Sequence, residues 1–136
     1  MKKKNRKILI VDDDIDFVEA ISSFLTETGY TVLKAYNGKE GLQLAKAERP
    51  DLIIMDIMMT ERTEGFFVIQ EIRRIVDLKS VPIIVLSSLY EKIPDFKISL
   101  EKEWLPYDEF LLKPVELYKL REKIEEFIGG TEKPIK

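Results

Sequence analysis

Acidic residues close two of the chain's apolar runs: Lys7-Ile8-Leu9-Ile10-Val11 stops on Asp12 and Asp13, and Leu52-Ile53-Ile54-Met55 stops on Asp56. If both runs are parallel strands of one buried sheet, their carboxyl ends lie side by side, where open α/β sheets bind ligands. Three carboxylates sharing one crevice repel one another, so the cluster needs a cation, raised pKa values, or both. A hard divalent ion is the simplest solution. The chain contains no histidine and no cysteine. That removes imidazole bases, thiolate nucleophiles, disulfides and most transition-metal sites, and leaves oxygen ligands that suit magnesium, calcium or manganese. The available chemistry therefore runs on carboxylates, hydroxyls and lysines.

The elements that must position these groups can be read from periodicity. Short apolar runs alternate with amphipathic stretches five times, the pattern of an α/β domain with a parallel sheet. After the first strand, Phe17, Ala20, Ile21, Phe24 and Leu25 recur at helical spacing, and Gly29 stands where a helix would end on a left-handed residue. Asp14 is placed to cap that helix. Thr31 to Ala35 reads as a second strand. Asn37-Gly38 is expected to turn the chain into a short helix over Gly41 to Ala45, closed by Pro50 and Asp51. Leu52 to Met55 is apolar throughout, as a central parallel strand should be. A polar stretch, Thr60 to Gly65, precedes a helix marked by Ile69, Ile72, Ile75 and Val76. Pro82 opens a strand over Ile83 to Leu86 that ends on Ser87 and Ser88. Pro94, Phe96, Leu100 and Trp104 suggest a short helix before Pro106. Phe110 to Leu112 forms a fifth strand leading to Lys113-Pro114, and Val115, Leu117, Leu120, Ile124, Phe127 and Ile128 mark the last helix, stopped by Gly129-Gly130.

Composition fits one folded domain. Of 136 residues, 45% are hydrophobic and 35% charged, which allows a core without staples and leaves no room for a second domain. No apolar run is long enough to span a bilayer and the start lacks a signal-peptide core, so a cytoplasmic location is expected. The net charge of -3 gives no case for nucleic-acid binding, and Lys2, Lys3, Lys4, Arg6 and Lys7 read as a solvated basic start.

Every group capable of chemistry falls at the end of the first, third, fourth or fifth strand. The blocks Ile8 to Asp14, Asp51 to Met59, Pro82 to Ser87 and Phe110 to Pro114, in that order and spacing, resemble the receiver domains of two-component response regulators, the CheY-like superfamily. The resemblance covers nearly the whole chain. It implies a doubly wound, flavodoxin-like (βα)5 three-layer sandwich with strand order 2-1-3-4-5, over residues 1-130, followed by a short polar tail at 131-136 and no effector domain. It implies further that Asp56 accepts a phosphoryl group from a sensor histidine kinase, a histidine phosphotransfer protein or a small phosphodonor. Asp13, Asp56 and the carbonyl of Met58 would bind Mg2+ directly, with Asp12 acting through water. Lys113 would pair with phosphate oxygens across a cis Lys113-Pro114 bond. Ser87 would donate its hydroxyl to the attached phosphoryl group while Phe110 changes rotamer. The face built from the helix before Pro106, the fifth strand and the last helix would then be read by a partner protein, with a homodimer left open.

The chain departs from that family pattern in places. Thr60 stands where the family has proline, and Gly65 follows Asp56 by nine positions where the pattern has eight. The stretch from Ser87 to Lys113 is long, with Trp104-Leu105-Pro106-Tyr107 in place of a small Gly-Ala-Asp turn. Two other readings compete. A pseudo-receiver would keep the fold and act by binding alone, but the full acid set argues against it. An aspartate-nucleophile phosphohydrolase needs a general acid two residues after the nucleophile, and Met58 stands there. The expected activity is therefore self-phosphorylation and slow self-dephosphorylation, not turnover of free substrates.

Overall fold

The computed structural model describes residues 6-57, 64-87 and 107-129. Five parallel strands, β1 (Lys7–Val11), β2 (Thr31–Ala35), β3 (Leu52–Asp56), β4 (Ile83–Ser87) and β5 (Glu109–Leu112), form one sheet in the order β2-β1-β3-β4-β5. The described helices are α1 (Ile15–Glu27), α2 (Gly38–Glu48), α3 (Glu64–Arg73) and α4 (Leu117–Ile124). This is the CheY-like, flavodoxin-like arrangement that the sequence implies.

Strands with apolar residues at every position can be buried on both faces only if each face is covered by helices. Every residue of β3 is buried. Leu9, Val11, Ile53, Met55, Ile83 and Val85 face one core, closed by Val68, Ile69 and Ile72 of α3 and Ala45 of α2. Ile8, Ile10, Leu52, Ile54, Ile84 and Leu86 face the other, closed by Val18, Ile21 and Leu25 of α1 and Leu120 and Ile124 of α4. Successive side chains alternate between the cores because the strand period is two. At the outer margin of the sheet, the Lys34 ammonium of β2 lies 3.2 Å from Glu19 Oε2 of α1, which also accepts the Tyr36 hydroxyl at 2.8 Å.

Local signals fix the ends of the helices. Asp14 Oδ1 accepts from the Phe17 amide at 3.1 Å and starts α1, and Gly29 ends that segment at φ 104, a conformation open chiefly to glycine. The expected short α2 is longer than its apolar pattern. It begins at Gly38 because Asn37 Oδ1 caps it by accepting from the Glu40 amide at 2.8 Å, so Asn37-Gly38 is a helix start and not a separate turn. The helix expected to run through Ile75 and Val76 ends at Arg73. The chain turns there into a 3-10 segment, Val76–Leu78, which leaves Val76 80% exposed and gives its core position to Leu78. α4 begins at Leu117 rather than Val115 and passes into a π-helical turn, Glu125–Gly129, in which Ile128 is buried and Phe127 points out to solvent. The helix expected over 94-104 lies outside the described residues.

Candidate functional site

Register places the chemistry-bearing residues together. β1 and β3 are neighbours with Val11 opposite Met55, so Asp12 and Asp13 leave β1 beside the last residue of β3, Asp56. β4 lies on the other side of β3 with Asp56 opposite Leu86, and β5 pairs Ser87 with Leu112, which brings Lys113 to the same end. Carboxylate oxygens of Asp12, Asp13 and Asp56 all lie within 4.8 Å of one another. Asp12 and Asp56 are buried and Asp13 is exposed. Asp12 is held from two sides. Its Oδ1 accepts from the Asp14 amide at 2.9 Å, and its Oδ2 accepts from Lys113 Nζ at 2.8 Å.

Lys113 ties the two strand ends together. Its ammonium donates to Asp12 Oδ2 and reaches Asp56 Oδ2 at 3.5 Å. Burial would lower its pKa, but the hydrogen bond to Asp12 and the charges of Asp56 and Asp12 outweigh that effect and hold it above the ordinary lysine value. The Lys113-Pro114 bond is cis, as the resemblance to the receiver family implies. Among the described residues, this one ammonium against three carboxylates leaves the crevice negative, and the ligand atoms the acids offer are oxygens. That donor set fits a hard divalent cation. A cleft of about 600 Å3 opens beside it, lined by Asp14, Phe17, Ile21 and, past Lys113, Val115 and Leu117.

The other sequence-based candidates fall as follows. Met58 and the polar loop at 58-63 lie outside the described residues. Ser87 closes β4 at the same end of the sheet, and its side chain is outside the described set as well. Phe110 faces the core with Val85, half-buried, its ring centroid 6.1 Å from that of Tyr107 at an angle of 55°. At Gly65 a Cβ would stand 2.4 Å from Ile57 Cα and 2.6 Å from the Asp56 carbonyl oxygen, so α3 begins in backbone contact with the end of β3. Two features escaped the sequence reading. Phe17 carries the Lys113 ammonium 4.3 Å from its ring centroid, although its spacing marks it only as helix core. Arg73 and Asp108 join the far ends of α3, β4 and β5, and neither belongs to an apolar pattern or motif.

A parallel five-stranded sheet with an acid cluster and a lysine at its carboxyl ends defines a CheY-like α/β domain. The family model for the response regulator receiver domain matches residues 8–125. Chemotaxis protein CheY4 of Vibrio cholerae superposes with a TM-score of 0.81 at 30% identity, over 92% of this chain and 100% of that one. The receiver domain of sensor histidine kinase PA1611 from Pseudomonas aeruginosa PAO1, whose structure has a magnesium ion coordinated in the active site cleft, superposes with a TM-score of 0.80 at 26% identity, over 93% and 99% of the two chains. Among curated relatives, "Probable transcriptional regulator ycf27" of Cyanophora paradoxa is 34% identical over 98% of this chain and 53% of its own length. The alkaline phosphatase synthesis transcriptional regulatory protein PhoP of Bacillus subtilis is 30% identical over 94% and 50%. The chain thus spans about half the length of these curated relatives. It belongs to the response regulator receiver domains, signalling modules that work with histidine kinases in two-component systems and are not enzymes in the ordinary sense.

Proposed function

We propose that Asp56 is the phosphoacceptor of this receiver domain, and the observation that carries the reading is the convergence of Asp12, Asp13, Asp56 and Lys113 at one end of the sheet. An Asp56 carboxylate oxygen forms a new P–O bond while the donor's bond to phosphorus breaks, a P–N bond in a kinase or phosphotransfer-protein phosphohistidine or a P–O bond in acetyl phosphate. Asp13 and Asp56 would hold Mg2+ together with the Met58 carbonyl, and Asp12 would do so through water. Bound there, the ion offsets the crowded charge and polarises the transferring group. Lys113 sits between the two buried acids, which supports a role in which its ammonium meets phosphoryl oxygens as they arrive at Asp56. The phosphoryl group would draw in the Ser87 hydroxyl and free space for Phe110. That shifts the face of β5 and its flanking helices between two pre-existing states for a partner protein to read.

Phe110 has no hydroxyl, so output through it is hydrophobic only. Within residues 1-130 the domain acts in the cytoplasm, without direct nucleic-acid or membrane contact. Among the described residues, no helix is long and apolar enough to cross a membrane. The test is acetyl phosphate with Mg2+, followed by intact mass and backbone NMR. Wild type is expected to gain one phosphoryl group, with resonance changes near Ser87 and Phe110, while Asp56→Asn gains none. An unmodified wild type, or equal gain by Asp56→Asn, would refute the assignment.

A further inference from the structure

Among the described residues Lys113 is held from three sides, and two of them belong to the reaction. Asp12 Oδ2 at 2.8 Å and Asp56 Oδ2 at 3.5 Å are the oxygens that a cation and an incoming phosphoryl group would claim. The third side is the face of Phe17, whose ring centroid lies 4.3 Å from Nζ. An aromatic face attracts an ammonium through its quadrupole but accepts no proton and binds no metal, so this contact survives when the carboxylates are taken up elsewhere. The ring is itself anchored. Phe17 is the third residue of α1, and its amide donates to Asp14 Oδ1, while the Asp14 amide donates to Asp12 Oδ1. One short run thus places both the acid and the ring that flank the same ammonium. Lys113 keeps 19% of its side chain exposed, so without the ring its long stem has room to swing into the adjoining cleft.

We propose that Phe17 is a positioning residue for phosphoryl transfer: its ring face keeps the Lys113 ammonium over Asp56 once Asp12 and Asp56 engage the ion and the phosphoryl group. This inference rests on the phosphoacceptor reading above. Phe17→Leu preserves an apolar side chain without the π face, whereas Phe17→Tyr and Phe17→Trp preserve the face. The experiment measures the rate of Asp56 phosphorylation by acetyl phosphate at saturating Mg2+, together with the ¹H–¹³C resonances of the Lys113 ε-methylene in lysine-labelled protein. Phe17→Leu is expected to slow the reaction about fivefold and to abolish the upfield ring-current shift of the ε-methylene, with the Tyr and Trp variants within about twofold of wild type. Rates are normalised to the folded fraction, and the two aromatic variants report even if Phe17→Leu folds poorly. A Phe17→Leu rate equal to wild type, aromatic variants as slow as Phe17→Leu, or no ring-current shift in wild type would overturn the positioning role alone. A wild type that takes up no phosphoryl group would overturn the phosphoacceptor reading and this role with it.

Discussion

Gly65 lies at the start of α3 against the backbone that leaves β3. A single added methyl would meet the backbone of Ile57 and the carbonyl of Asp56, neither of which can rotate away as a side chain could. Overpacking of this kind costs about 1–3 kcal/mol, and the better helix propensity of alanine returns up to about 1 kcal/mol. Gly65→Ala is therefore expected to lose about 1–2 kcal/mol, read as a lower urea midpoint at unchanged slope. Because the clash falls on the Asp56 carbonyl, it should also slow acetyl phosphate labelling, an effect that loss of stability alone would not produce. At this scale the sequence is most informative where chemistry dictates residue type: Asp12, Asp13 and Asp56 follow apolar runs and converge, and Lys113, which the family resemblance adds, meets Asp12 and Asp56. Phe17 was not legible in this role because a cation–π contact joins residues far apart in the chain and leaves no spacing signal.

Between elements, the carboxyl ends of the strands hold the chemistry and the opposite ends hold a clamp. Arg73, the last residue of α3, donates from Nη1 to the carbonyls of Leu78 at 3.3 Å, Lys79 at 3.2 Å and Val81 at 2.6 Å, and from Nη2 to Asp108 Oδ2 at 3.0 Å. Asp108 Oδ2 also accepts the Ile83 amide at 2.8 Å, so one carboxylate aligns the starts of β4 and β5. Charged hydrogen bonds of this type contribute roughly 1.5–3 kcal/mol each when buried, and less here because Asp108 is partly exposed. Arg73→Ala is expected to cost about 2 kcal/mol in urea unfolding. Asp108→Asn retains an acceptor for the Ile83 amide and should cost less than half as much. The clamp also explains why the end of the third helix was misjudged. Ile75 and Val76 continue the apolar count, but the carbonyls that Arg73 gathers require the chain to fold back as a 3-10 turn. Likewise α2 outran its apolar pattern because capping by Asn37, not hydrophobic spacing, sets its start. The inner strands β1, β3 and β4 are legible almost to the residue, since burial on both faces imposes apolar side chains along nearly their whole length.

For the molecule as a whole, crowded acid is a stability cost that cation binding should reverse. Buried Asp12 and Asp56 and exposed Asp13 crowd their oxygens within 4.8 Å, and Lys113 balances only one of the three charges. Mg2+ at about a hundred times its Kd would stabilise the fold by about 2.7 kcal/mol, a rise in Tm of roughly 8 °C for a domain of this size. Asp13→Asn is expected to melt higher than wild type in EDTA, because one repelling charge is gone, and to lose most of the Mg2+-dependent gain. Differential scanning fluorimetry checks both, and a wild-type Tm indifferent to Mg2+ would contradict the metal assignment. The α/β class and the meeting of the acids are thus legible in which residues must be buried and which must end strands, whereas the strand order and the role of Lys113 come from the resemblance to the receiver family. A different kind of consequence follows from Lys34. β2 closes the described sheet on one flank, so a row of its peptide groups has no strand beyond it, and such a flank templates aggregation when it is flat and greasy. An ammonium in mid-strand, tethered to Glu19, would have to shed water and its counter-charge before a foreign polypeptide could zip alongside. The protein thereby guards against amyloid-like self-recruitment at the flank farthest from β5.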